Sequence, residues 1–185
     1  YSETLMPQAR ASCSLGDVFR STVLLHLFKT DQVTWVTDEA AFPLLRDNPH
    51  IDRVLTLDMF TALPLESERF DKVINLEKVP GLCALMDRVP AGARYGFRFD
   101  PATGTAQAYA CAEDALIIAN RQDYDRQAGR CYSEILFSML GAEWKGEDYV
   151  LGYKPSTRPQ FDLGFNTHVG SLLPVKAWSA AHWQE

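Results

Sequence analysis

Ser12-Cys13-Ser14-Leu15-Gly16-Asp17-Val18-Phe19-Arg20-Ser21 is the stretch that decides how this 185-residue chain reads. It gathers a glycine, two hydroxyls and a carboxylate into one turn, directly before apolar residues at helical spacing. In an α/β sheet, the turn between a strand end and the next helix is where ligands collect. Val18, Val23, Leu24, Leu27 and Phe28 stop at Lys29-Thr30-Asp31, which predicts one helix of about three to four turns from Asp17. Residues 1–13 carry Pro7, Gln8 and Arg10 among few β-branched residues, a weak pattern for the buried strand expected before such a loop.

The loop itself can be read in two ways. Locally, Ser14-Leu15-Gly16-Asp17 fits a capping box, in which the serine oxygen and the carboxylate satisfy helix N–H groups. Alternatively it is a ligand site: helix N–H groups hold an anion, Gly16 admits close approach of the backbone, and Asp17 projects into the crevice. On local pattern alone, capping is the better account. No G-K-[ST] follows, so the loop is not a P-loop.

Beyond this loop the chain alternates. Gln32–Thr37 reads as a strand, and Asp38 opens a short helix through Leu44-Leu45 to the breaker Asn48-Pro49. Ile51–Leu57 and Phe70–Leu76 read as strands, with Pro80 at the front of a helix Gly81–Arg88. Arg94–Phe97 reads as a short strand and Asp100–Gly104 as a turn. Helices are expected at about Tyr109–Asn120 and Arg130–Leu140, the latter closed by Gly141, and Tyr149-Val150-Leu151 is a candidate strand. Strands and helices joined by short connections predict an α/β fold with a mostly parallel sheet, right-handed crossovers and helices on both faces.

Composition then shifts at residues 154–160, where Lys154-Pro155-Ser156-Thr157-Arg158-Pro159 has the polar, proline-rich profile of a linker. The expected organisation is one domain over 1–153, that linker, and the opening of a second domain over 161–185. Phe161–Asn166 is strand-like, His168–Ser171 a turn and Val175 onward helical, so the strand, Gly/Ser turn, helix grammar recurs. The first residue is not Met and the end resembles an uncapped helix, so a longer polypeptide is expected.

Composition narrows the function classes. Apolar residues at 46% and charged residues at 23% are globular values. The net charge is −6 and the 18 basic residues are scattered, which argues against nucleic acid as a partner. No apolar run approaches the ~20 residues of a membrane span. Cys13, Cys83, Cys111 and Cys131 form no C-x-x-C pair, so reduced thiols in the cytoplasm are expected. His26, His50, His168 and His182 show no ligand spacing, and no metal is expected. No G-x-S-x-G elbow supports a Ser-His-Asp hydrolase.

Two further stretches offer polar groups. Asn75-Leu76-Glu77-Lys78, at a strand end, carries polar and charged side chains toward the crevice, although such strand-end charges are usually solvated. Gly170-Ser171-Leu172-Leu173-Pro174-Val175-Lys176 combines helix N–H groups, a hydroxyl and an ammonium, a set suited to a diphosphate. A lone lysine at a helix start is also commonly just solvated, and Trp178 and Trp183 read as packing residues.

Taken in order, Ser14-Leu15-Gly16-Asp17-Val18, Val33–Thr37, Asn48-Pro49-His50-Ile51-Asp52-Arg53-Val54-Leu55 and Phe70–Leu76 resemble the heptosyltransferase-like glycosyltransferases of family 9. Gly164–Asn166, Gly170-Ser171, Pro174, Lys176, Trp178 and Trp183 resemble the start of that family's second domain. The resemblance implies a GT-B architecture with Rossmann-like domains, an amino-terminal acceptor domain and a carboxyl-terminal nucleotide-sugar domain, with the active site between them. It implies inverting, metal-independent transfer of a heptose-type sugar from ADP-heptose to a lipopolysaccharide-core or related glycan, at the inner face of the cytoplasmic membrane. No cofactor beyond the nucleotide-sugar donor is implied. Asp17 matches the family's catalytic base, Lys176 the phosphate-contacting lysine and Ser171 the hydroxyl beside it; Ser14 and Lys78 fall on the acceptor side. The rival expectations are a non-catalytic sugar- or nucleotide-binding module of the same fold, and a transferase with a protein acceptor.

Overall fold

The computed structural model describes residues 14–120, 129–153, 156–165 and 177–183. The chain divides into two compact units, Tyr1–Lys154 and Pro155–Glu185. The first is α/β. Its elements are α1 (Leu15–Ser21), a 3-10 helix (Thr22–Leu27), β1 (Thr34–Thr37), a 3-10 turn (Glu39–Ala41) leading into α2 (Phe42–Leu45), β2 (Arg53–Thr56) and α3 (Met59–Leu65). Then come β3 (Phe70–Asn75), α4 (Pro80–Arg88), β4 (Ala91–Asp100), β5 (Thr105–Ala108), α5 (Glu113–Asn120) and α6 (Tyr132–Met139).

The strands among the described residues form two sheets, not the single sheet expected. β1 and β2 pair in parallel; β3 and β4 pair in parallel, and β5 joins β4 antiparallel. The strand expected within residues 1–13 lies outside the described residues. The antiparallel step follows from the tight turn Pro101–Gly104, since parallel neighbours need a long crossover. In that turn, Asp100 accepts hydrogen bonds from the Ala102 amide at 3.0 Å and the Thr103 hydroxyl at 2.8 Å.

β4 is longer than the expected Arg94–Phe97 because it serves two partners in succession. Residues up to Gly96 pair with β3, and Phe97–Asp100 pair with β5. The switch falls on Gly96, at φ +85°, where a Cβ would lie 1.9 Å from the Asn75 carbonyl oxygen. No other residue fits without moving backbone.

The first helix begins at Leu15, two residues before the expected start, and its second half tightens to 3-10 geometry. The cause is local: the Ser21 hydroxyl donates to the Val18 carbonyl at 2.8 Å and the Thr22 hydroxyl to the Phe19 carbonyl at 2.7 Å. Hydroxyls that bond back onto the preceding turn compete with the α ladder. Val23 and Leu24 nevertheless enter the main core with Cys83, Phe97, Ala112, Ala115, Ile135, Leu136, Phe137 and Met139. Burying each of the large side chains stabilises the fold by about 1.5–3 kcal/mol. Val18, Ala41 and Leu45 form a smaller cluster beside β1 and β2.

Tyr149-Val150-Leu151 is not a strand. Side chains take the groups that a neighbouring strand would have used: Thr22 Oγ1 accepts from the Val150 amide at 3.1 Å, and Asn48 Nδ2 donates to its carbonyl at 2.8 Å. Phe19 stacks on Tyr149 with ring centroids 4.6 Å apart. The segment is thus a strap across the first helix and the turn after α2. Helix α3, by contrast, has no counterpart in the expected elements. Asp58 caps it by accepting from the Thr61 amide at 2.7 Å, while Pro64 inside it disguises the pattern.

In the second unit, described residues Phe161–Phe165 carry no strand, and 177–183 form a turn closed by Trp183 N–H to the Ser179 carbonyl at 3.3 Å, not a helix. Trp178 and Trp183 pack on each other at 5.1 Å but stay exposed.

Gly96→Ala should lower the free energy of unfolding by about 3 kcal/mol or more, since it adds both a forbidden φ and a backbone clash. Denaturant titration checks this, and a loss below about 1 kcal/mol would refute the switch-point role.

Candidate functional site

The candidate residues come from three places in the first unit. Asp17 and Arg20 stand on α1; Glu77 and Lys78 lie in the loop leaving β3; Tyr132 opens α6, which packs against α1.

The loop leaving β3 is built by Asn75, which is 5% exposed. Its Oδ1 accepts from the Glu77 amide at 3.0 Å, and its Nδ2 donates to the Phe97 carbonyl at 2.8 Å and to Cys83 Sγ at 3.4 Å. Cys83 in turn donates to the Glu77 carbonyl at 3.2 Å. Burial pushes the Cys83 thiol up, with the Asn75 contact opposing, so this buried thiol is a structural donor. The effect is to turn the chain sharply after β3 and present Glu77 and Lys78 at the surface. Pro80, preceded by an extended Val79, then starts α4. Lys78 Nζ sits 5.3 Å from the centroid of the buried Phe97 ring.

At α1 the capping-box expectation fails. Ser14 is the N-cap residue, yet its side chain makes no capping bond; its carbonyl accepts from the Asp17 and Val18 amides at 2.9 and 3.1 Å. Asp17 is engaged elsewhere, in an ion pair with Arg20 one turn on, and its side chain is 50% exposed. A full cation three residues on attracts the short Asp17 side chain more strongly than the N–H dipoles at the helix start. Among the described residues, a Cβ on Gly16 would make an ordinary van der Waals contact with Ser14 Oγ at 3.7 Å.

Arg20 also donates from Nε to the Gly16 carbonyl at 3.3 Å and places Cζ 4.2 Å from the Tyr132 ring centroid. Burial pushes the Tyr132 hydroxyl up; the Asp17 carboxylate adds to this, Arg20 opposes it, and Glu77 adds a smaller part. Asp17, Arg20, Glu77 and Tyr132 therefore share one electrostatic neighbourhood, with Asp17 as its half-exposed carboxylate. Such a group can accept a hydrogen bond, and then a proton, from a bound hydroxyl.

Of the site residues expected from the sequence, Asp17 and Ser14 stand together on the turn into α1, and Lys78 stands on the loop after β3. Ser171 and Lys176 lie outside the described residues. Sequence reasoning missed Arg20 and Tyr132. The i, i+3 spacing of Asp17 and Arg20 signalled the first; nothing local signals the second. Among known proteins, no family model, curated protein or solved structure matches the chain significantly.

The raised Tyr132 hydroxyl gives a pH test. Its neutral form is favoured in the fold, so its contribution to stability is complete below the ordinary tyrosine value of about 10 and is lost as pH rises past it. Asp17→Asn removes a raising charge and keeps the opposing Arg20, so Tyr132 should ionise at lower pH than in the wild type. Ultraviolet difference titration of the two proteins measures this; identical curves would separate Tyr132 from Asp17.

Proposed function

We propose that this chain belongs to a GT-B glycosyltransferase and carries its acceptor side. The enzyme transfers a heptose-type sugar from ADP-heptose to a lipopolysaccharide-core or related glycan, with inversion and without a metal, at the cytoplasmic face of the inner membrane. The observation that carries the proposal is the half-exposed Asp17 carboxylate in the first turn of α1, ion-paired to Arg20 and acting together with Glu77 of the loop leaving β3 on the Tyr132 hydroxyl. It is supported by the order of motifs along the chain and by the α/β architecture of the first unit. No helix among the described residues is long and apolar enough to cross a membrane.

The chemistry assigns one role to each group. The acceptor oxygen attacks the anomeric carbon from the face opposite the diphosphate, the bond to the diphosphate oxygen breaks, and ADP leaves with the bonding pair. The acceptor's proton passes to Asp17. A carboxylate is a weak base, so the proton moves late, once attack has made the hydroxyl acidic. Ser171 and Lys176 stabilise the charge that develops on the diphosphate, in place of a divalent cation. Ser14 and Lys78 contact the acceptor.

The full-length protein should release ADP from ADP-heptose only when acceptor is present, and Asp17→Ala should reduce turnover by at least about a hundredfold. Its stability should stay within about 1 kcal/mol of the wild type, because the pair it removes is an exposed one. Wild-type turnover by Asp17→Ala would rule out the base assignment, and calorimetric binding of ADP-sugar without any turnover would favour a non-catalytic module.

A further inference from the structure

We infer that Arg20 is a positioning residue, which fixes the Asp17 carboxylate relative to the start of α6 for proton transfer. This deepens the transferase proposal and rests on it. Three contacts converge on one guanidinium: the ion pair to Asp17 Oδ1, the Nε donation to the Gly16 carbonyl at 3.3 Å, and the Tyr132 ring 4.2 Å from Cζ. They use its edge and its face together. An exposed i, i+3 ion pair alone holds its partners loosely. A planar fork that is also stacked has far less freedom, and a lysine cannot reproduce either feature.

The stack is anchored in turn. Tyr132 is partly buried and packs against the main core, and Ile135, Leu136 and Met139 of the same helix lie within that core. The N-cap amide at Cys131 donates to Glu134 Oε2 at 2.5 Å, which holds the first turn of α6 where Tyr132 sits. Asp17 is therefore tied through Arg20 and Tyr132 to the buried core of the unit, although its own side chain is half exposed. A base that must meet an incoming hydroxyl needs such second-layer support, because a displacement of about 1 Å can cost a hundredfold in rate.

The test is steady-state transfer by the full-length protein. Arg20→Ala and Arg20→Lys should each lower kcat by about tenfold to a hundredfold, with acceptor KM held within about twofold. Tyr132→Leu should reproduce the loss, and the Arg20→Ala/Tyr132→Leu double variant should be no worse than either single change. Added guanidinium should restore part of the kcat of Arg20→Ala and none of that of Asp17→Ala. Arg88→Ala, which removes an ion pair with Glu66 just past the end of α3, should leave both constants unchanged. Wild-type kcat in Arg20→Lys, or losses that add in the double variant, would overturn the inference. If Asp17→Ala is inactive while Arg20→Ala turns over normally, only the positioning role falls; if Asp17→Ala turns over normally, the transferase reading falls with it.

Discussion

The buried Asn75 amide beside the left-handed Gly96 is the constraint on which the rest of the first unit depends. β3 ends at Asn75, while β4 runs on and must exchange a parallel partner for an antiparallel one. At that point the Phe97 carbonyl loses its place in the β3 ladder, and the Asn75 side chain takes it up. The same side chain turns the following loop through its bond to the Glu77 amide. A buried polar group left unpaired would cost about 1–3 kcal/mol, so one asparagine secures both the continuation of the sheet and the exit of the loop. The Gly96 carbonyl meanwhile accepts from the Tyr109 amide at 2.8 Å, which ties the return of the hairpin to the same residue.

Around this junction, local hydrogen bonding and charge pairing set the position of the candidate site. Back-bonded hydroxyls on Ser21 and Thr22 shorten the first helix, and Thr22 then doubles as the acceptor for the strap at Val150. That strap covers the carboxyl half of the helix, away from Gly16 and Asp17 at its opening. A hydrogen-bonded strap on one half of the helix and a half-exposed carboxylate on the other suit a site that combines a scaffold with an accessible functional group.

Much of this architecture was legible wherever neighbouring residues decide the outcome. Pro80 starts an element, Asp100–Gly104 turns the chain, and Gly141 follows the end of α6, all through backbone preferences confined to a few residues, whereas α2 already ends at Leu45, ahead of the expected breaker Asn48-Pro49. What eluded sequence reading was set by distant partners. β4 is ten residues long because two different strands pair with it, and no local pattern reveals a change of partner. Tyr149–Leu151 has strand-like residues but spends its polar groups on Asn48 and Thr22. At the site, Asp17 was legible as a carboxylate on a helix-opening turn, but its partner was misread, because a helix cap and an i, i+3 ion pair draw on the same carboxylate. Tyr132 was invisible to sequence reading for a simpler reason: it reaches Arg20 only through the packing of α1 on α6.

The central proposal is that a glycan acceptor binds at the opening of α1 and reaches the loop that Asn75 shapes. Amide chemical-shift mapping of isotope-labelled protein during titration with a lipopolysaccharide-core oligosaccharide tests this without requiring turnover. The account predicts saturable shifts at Gly16, Asp17, Glu77, Lys78 and Tyr132. Shifts confined to β2 and α3, or none at any acceptor concentration, would contradict it.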